Sequence, residues 1–423
     1  MPNKTTQSNF FKEEDTDFST PTLQRQARVV SRSITPSSIQ SLQTGDISGI
    51  SQSVIVTPPG AKKFGNFTDI RIAVEYVNKQ GGGIVFVKNG TYKLKNGYLD
   101  IPSRVQLIGE SREGVILDCG KTNSGLRIMG KNEYTTGTLS VSQGSDTVTG
   151  VGTTWLTNIK KGYFIRIGRL IIIIKSVESD TSLTLGNSYV DATQSAVTYV
   201  SAEFNIGTVI DNIVVRNPLN EGIIYKYANR YRISNTNAES SVGSFGITVN
   251  DSSEGIWDFV TVIFNGGGGM DVNHVSFTSF RTLIGASNGG NGFSFANSSI
   301  SAIDIIVSNG NASNGLYLDT IDNFAIRSAD MLFNGNHGAE LTASQYVIFL
   351  AGRISGSSDG LRLTLGCDNN TINGLRSYGN NRGVHIVEST SDNNIVIKCQ
   401  LGGNTTAGLT DVGTTTTKTG NIT

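Results

Sequence analysis

The chain has 423 residues, and its 34 basic and 34 acidic side chains cancel to a formal charge of zero. It has no Lys/Arg-rich run that would mark a nucleic-acid partner, and its longest apolar run, Leu170 to Ile174, is too short to cross a bilayer. Fifty glycines, seven prolines and 16% charged residues describe a turn-rich all-β protein, which as a solenoid can use the whole length as one rod.

Residues 1 to 55 are rich in Ser, Thr and Gln and show no sustained period, so they cannot bury enough surface to fold alone. They read either as a disordered tail or as an attachment arm ordered by a partner, with Phe10, Phe11 and Phe18 as anchors. They are polar and carry no signal-peptide h-region, so any exit from a cell is expected by another route, such as release inside a particle.

From Phe67 the text changes, and residues 56 to 133 read as a cap followed by the first coils. Thr68 is positioned to cap a helix whose apolar residues Ile70, Ala73, Val74 and Val77 follow three-four spacing, and Gly81-Gly82-Gly83 ends it. Strand phrases follow: Ile84 to Val87, Thr91 to Leu94, Leu99 to Ile101, Val105 to Ile108 and Val115 to Leu117. A solenoid exposes the core of its first coil, and an amphipathic helix placed before the first strand can cover it.

The run from Thr68 through Gly81-Gly82-Gly83-Ile84-Val85-Phe86-Val87, then Asn89-Gly90-Thr91-Tyr92 and Val105-Gln106-Leu107-Ile108-Gly109-Glu110, resembles the opening of pectate-lyase-superfamily proteins, phage tailspikes among them. That resemblance implies a right-handed parallel β-helix that binds or acts on polysaccharide, commonly as a homotrimer. It further implies a virion protein of a phage tail that contacts cell-surface polysaccharide and docks on other tail proteins through its arm.

Between residues 134 and 200 short alternating strands with Gly, Asn and Asp turns interrupt the coils. They read as an inserted β module, similar to small modules of phage tail and virion proteins. From 201 to 423 one phrase, Gly-apolar-variable-apolar, returns at Gly222, Gly246, Gly269, Gly292, Gly315, Gly338, Gly360, Gly383 and Gly408, most often 23 residues apart. Period-two apolar alternation without any helical stripe excludes helical repeats. The unit is too short for a propeller blade and lacks a leucine-rich consensus, which leaves a parallel β-helix. Asn and Gly recur just before each phrase, as in Asn288-Gly289-Gly290-Asn291 and Asn334-Gly335-Asn336, where left-handed corners and stacked amides are expected.

Coils stack about 4.8 Å apart, so each repeat position becomes an outward row. The row at the variable position reads Ile224, Thr248, Asp271, Ser294, Tyr317, Glu340, Arg362, His385, Thr410, and a second row two residues on includes Asn250, Asn273 and Asp319. Asp319, Glu340, Arg362 and His385 are the candidate catalytic residues. Tyr317, Asp271, Asn273 and Asn250 are the candidate glycan-binding residues. As diagonal neighbours, Asp319 and Glu340 fit a carboxylate pair for glycoside hydrolysis. The same rows fit a lyase, with Arg362 neutralising a uronate carboxylate and His385 or Tyr317 moving protons. They fit plain glycan binding, or a non-enzymatic adhesive fibre, as well.

A further row, Asp258, Arg281, Asp304, Arg327, alternates in charge and reads as register control or a subunit contact. Three cysteines at unrelated spacings read as buried free thiols. The three histidines occupy different places in their repeats, so neither a metal centre nor a cofactor is expected.

Overall fold

A chain that turns every few residues and alternates inward and outward side chains satisfies its backbone by stacking coil on coil. The computed structural model describes residues 53–60 and 65–423, and the arm proposed for residues 1 to 55 lies outside them apart from its last three residues. Those three belong to the strand Ser53–Val56, which pairs in parallel with Gly83–Val87, so the first coil begins earlier than the sequence reading placed it. The described chain is a parallel β-solenoid of about 15 turns with about 23 residues per turn.

The helix Ile70–Lys79 buries Ile70, Ala73, Val74 and Val77 over the first coil, the face its spacing predicts. Its cap is Asp69 and not Thr68: the Asp69 carboxylate accepts the backbone N–H of Arg71 at 2.8 Å. A carboxylate at this position also suits the positive end of the helix dipole.

Inside the solenoid, Trp257 stacks against Phe280, Phe280 against Phe295, and Phe295 against Phe324, with ring centroids 5.2–5.7 Å apart. At one corner the asparagines form a buried ladder. Asn265 donates its amide to Asn288 at 3.0 Å, Asn288 to Asn311 at 2.8 Å, and Asn311 to Asn334 at 2.9 Å. The next position is Ser357, whose short side chain interrupts the ladder until Asn380 donates to Asn404. Each buried amide thereby satisfies its neighbour, which is why this corner repeats one residue type.

The corner after the repeat phrase departs from the Asn/Gly expectation. Tyr227, Asp251, His274, Asn297, Thr320, Ala343 and Leu365 all take φ between 45 and 58° there. Left-handed backbone costs such residues about 1 kcal/mol or more each, offset by the cross-coil hydrogen bonds it permits.

Strands between Lys131 and Glu203 leave the solenoid as a separate eight-stranded sheet with antiparallel pairings. Its own core includes Trp155, whose indole N–H donates to the Tyr199 hydroxyl at 2.8 Å. Phe164 of this sheet stacks on Phe204 at 4.4 Å and leans on Tyr227 of the solenoid at 5.3 Å. Cys119, Cys367 and Cys399 are free and buried.

Candidate functional site

Parallel pairing places Tyr317 beside Glu340, Glu340 beside Arg362, and Arg362 beside His385. The same registry puts Asp271 next to Ser294 and Asn250 next to Asn273, so both outward rows exist as adjacent side chains on one sheet. Apolar residues flanking each row member, such as Leu361 and Leu363 about Arg362, are fully buried and fix the strand's facing.

The row does not act by itself. The residues immediately before the repeat glycines, Asn291, Asn314, His337, Asp359 and Arg382, form a third row along the same edge, and Asp359 is its centre. The Asp359 side chain is only 3% exposed. His385 donates from Nδ1 to Asp359 Oδ2 at 2.9 Å, and Arg382 Nη1 lies 3.3 Å from Oδ1. His337 Nδ1 stands 3.7 Å from the same carboxylate. Two histidines from different repeat positions therefore meet at one acid, a convergence that comparing their places in the repeat did not reveal.

His337 Nδ1 faces the backbone N–H of Asp359 at 3.2 Å, and its Nε2 faces Arg362 Nη1 at 3.0 Å. Since a neutral imidazole has one acceptor nitrogen, only one of these contacts is a hydrogen bond. Burial lowers the His337 pKa, and Arg362 and His385 add to this against the opposing pull of Glu340 and Asp359. Glu340 accepts the Asn314 amide at 2.9 Å, and its other oxygen lies 3.8 Å from Arg362 Nε. That Nε–H is buried with no hydrogen-bond partner among the described residues.

Asp319 stays out of this cluster. It is diagonal to Glu340 as the row geometry requires, but its carboxylate is engaged by the Thr320 hydroxyl at 3.0 Å. Glu340 is held by Asn314 and Arg362, so the two acids take separate partners. Higher on the face, Asn273 accepts from Asn297 at 3.1 Å, and burial raises the pKa of Asp271.

The chemistry available follows from His385. With Nδ1 held by a buried carboxylate, the neutral ring carries its lone pair on Nε2, which is the arrangement that orients an imidazole as a base. Arg362 and Arg382 flank it with positive charge. Among the described residues no three His, Cys, Asp or Glu side chains gather closely enough to hold a metal ion.

No protein-family model matches the sequence, and no curated protein matches it. Solved structures do match by fold. The A-module of mannuronan C-5 epimerase AlgE6 from Azotobacter vinelandii superposes with a TM-score of 0.52 at 15% identity, over 91% of this chain and 98% of that one. ORF18 of Geobacillus virus E2 gives 0.47 at 11% identity, over 88% and 58%. Tailspike gp61 of Pseudomonas phage phi297 gives 0.40 at 15% identity, over 81% and 64%. The fold is the right-handed parallel β-helix. The likeness extends to fold alone.

Proposed function

We propose that this β-helix is a tailspike-like protein that binds a cell-surface polysaccharide along the Asp271–His385 face and depolymerises an acidic glycan there by proton abstraction. The observation that carries the reading is the buried Asp359 carboxylate holding His385 Nδ1 at 2.9 Å. In this reading His385 Nε2 takes the proton α to a uronate carboxylate, and the electron pair forms the new C=C bond. The glycosidic C–O bond breaks, and the protonated His385 Nε2 returns that proton to the leaving oxygen, while Tyr317, three rungs or about 14 Å away, contacts the chain further along the row. Arg362, beside His385 on the same sheet, pairs with the uronate carboxylate and so stabilises the charge that develops on it.

Two-carboxylate hydrolysis by the diagonal pair Asp319 and Glu340 is the second chemistry the face can support, since such a pair needs no contact between its two acids. A phage origin, a homotrimer and docking through residues 1 to 55 belong to the same proposal, supported by the opening motif.

The adhesive-fibre alternative is favoured by one feature. Asp359 is satisfied by His385 and Arg382, and Glu340 by Asn314 and Arg362, as on a face selected for stability. Incubation with acidic capsular and exopolysaccharides, following unsaturated-uronate absorbance together with reducing ends, separates the readings. Both signals should rise and vanish in His385→Ala. Reducing ends without unsaturation would replace elimination by hydrolysis, and binding without any product would leave the adhesive fibre.

A further inference from the structure

The inserted sheet is anchored to the solenoid at the edge of the glycan-facing rows. Its strand Leu170–Ser179 lies against the strands Ile247–Ser253 and Met270–Ser276, which carry Asn250, Asp271 and Asn273. Arg166 pairs with Asp251 and places Nη1 3.2 Å from His274 Nε2, and these two partners are the corner residues that directly follow Asn250 and Asn273. Arg169, at the hairpin tip, bridges Asp191 of its own sheet at 3.2 Å and Asp322 of the solenoid at 3.1 Å. Asp322 lies three residues beyond Asp319, about 10 Å of strand, in the coil that also carries Tyr317. The inserted sheet is fixed further by Glu133 of its strand Lys131–Tyr134, which meets Lys226 at 3.0 Å, and by Phe164 of the hairpin against Tyr227.

The hairpin thus borders the rows from the Asn250 rung to the Asp319 rung and ends where the Asp359 cluster begins. Past that point the equivalent corner positions are Ala343 and Leu365, and Leu365 is 64% exposed. One half of the face has a side wall and the other half is open.

We propose that the hairpin formed by Phe164–Ile167 and Leu170–Ser179 is the wall of a binding groove for the part of an acidic glycan that extends beyond the reactive rungs, with Arg169 as its positioning residue. This rests on the reading of the face as a glycan site. From Asp271 to His385 the row spans five coil steps, about 24 Å, which accommodates several sugar units. Short oligosaccharides occupy the open half, and longer ones reach the walled half and gain contact with Asp271, Asn273 and Asn250. Chain-length preference then depends on whether the wall is docked.

The test uses the full chain with alginate, polygalacturonate and hyaluronan, each as short and long oligosaccharides, in calorimetric titration. Wild type should bind long oligomers of at least one polymer more tightly than short ones. Arg169→Gln and Asp322→Asn should each lower the long-oligomer affinity about tenfold, the loss of roughly 1.4 kcal/mol, and leave the short-oligomer affinity unchanged. Arg169→Lys should restore part of the difference, which a merely structural loss would not show. Thermal melts confirm that each variant is folded. Equal affinities of wild type and both variants at every length would overturn the wall while keeping the glycan site. Failure of wild type to bind any of the three polymers would overturn the acidic-glycan reading itself.

Discussion

Two outward rows of charge on the same solenoid behave differently. In the row of Asp258, Arg281, Asp304 and Arg327, Arg281 meets Asp258 at 3.4 Å and Arg327 meets Asp304 at 3.3 Å, as their alternation predicts, with roughly a third to a half of each side chain exposed. In the row that precedes the repeat glycines, Asp359 is almost fully withdrawn from water and gathers His385, Arg382 and His337 about one carboxylate. Coil stacking supplies both rows with the same spacing. Solvent access makes the difference: water screens the first row into a set of weak pairs, whereas burial turns the second into a network whose members orient one another.

The contrast can be broken most severely at His385. If the proposed chemistry holds, His385→Ala should lower turnover of the acidic glycan by about 10²–10⁴-fold, measured as initial rates with binding retained. Asp359→Asn should lose about 10²-fold or more, because an amide can present its N–H to Nδ1 and favour the wrong tautomer. Equivalent losses from Arg327→Ala would erase the distinction between the rows.

A smaller effect concerns stability inside the coils. Asn288→Ala removes an amide that donates to the Val262 carbonyl and to Asn311, and whose oxygen accepts from Asn265. Leaving those buried groups unpaired should cost about 3 kcal/mol in chemical denaturation. The exposed pair Arg281–Asp258, cut by Arg281→Ala, should change stability by no more than about 1 kcal/mol.

Acid sharpens the comparison at the hairpin. Burial, reinforced by Arg166, pushes His274 down to about 4, so the docked state favours the neutral ring. The free state protonates first as pH falls below about 6.5, and the His274 contribution is lost progressively between there and about pH 4. Asp251, raised chiefly by burial, opposes this, and Lys226, Glu133 and Arg166 surround the pair. The net expectation is a loss of about 1–3 kcal/mol, read as faster hydrogen exchange in Leu170–Ser179 and reduced in His274→Gln.

The repeat made much of this legible. A 23-residue period with period-two alternation sets which side chains share a row, so Tyr317, Glu340, Arg362 and His385 could be named as neighbours before any coordinates. Asp359, His337 and Arg382 were missed because they directly precede the repeat glycine, where Asn and Gly make the text look like turn. The signal was present: the positions before successive glycines read Asn291, Asn314, His337, Asp359 and Arg382, all polar and increasingly ionisable. Row geometry placed Asp319 diagonal to Glu340, but it fixes backbones only, while the local hydroxyl of Thr320 decides where the carboxylate bonds. The module's docking was not legible, since Arg166 and Arg169 find their partners only through the fold of the inserted sheet.

The central claim is that a buried Asp359 holds His385 as a base with its outward nitrogen free. Side-chain ¹⁵N NMR of His385 in the full chain tests this directly. A neutral ring protonated at Nδ1 with a bare Nε2 is expected, with a shift of that tautomer in Asp359→Asn. A ring carrying its proton on Nε2, unchanged by the substitution, would contradict it.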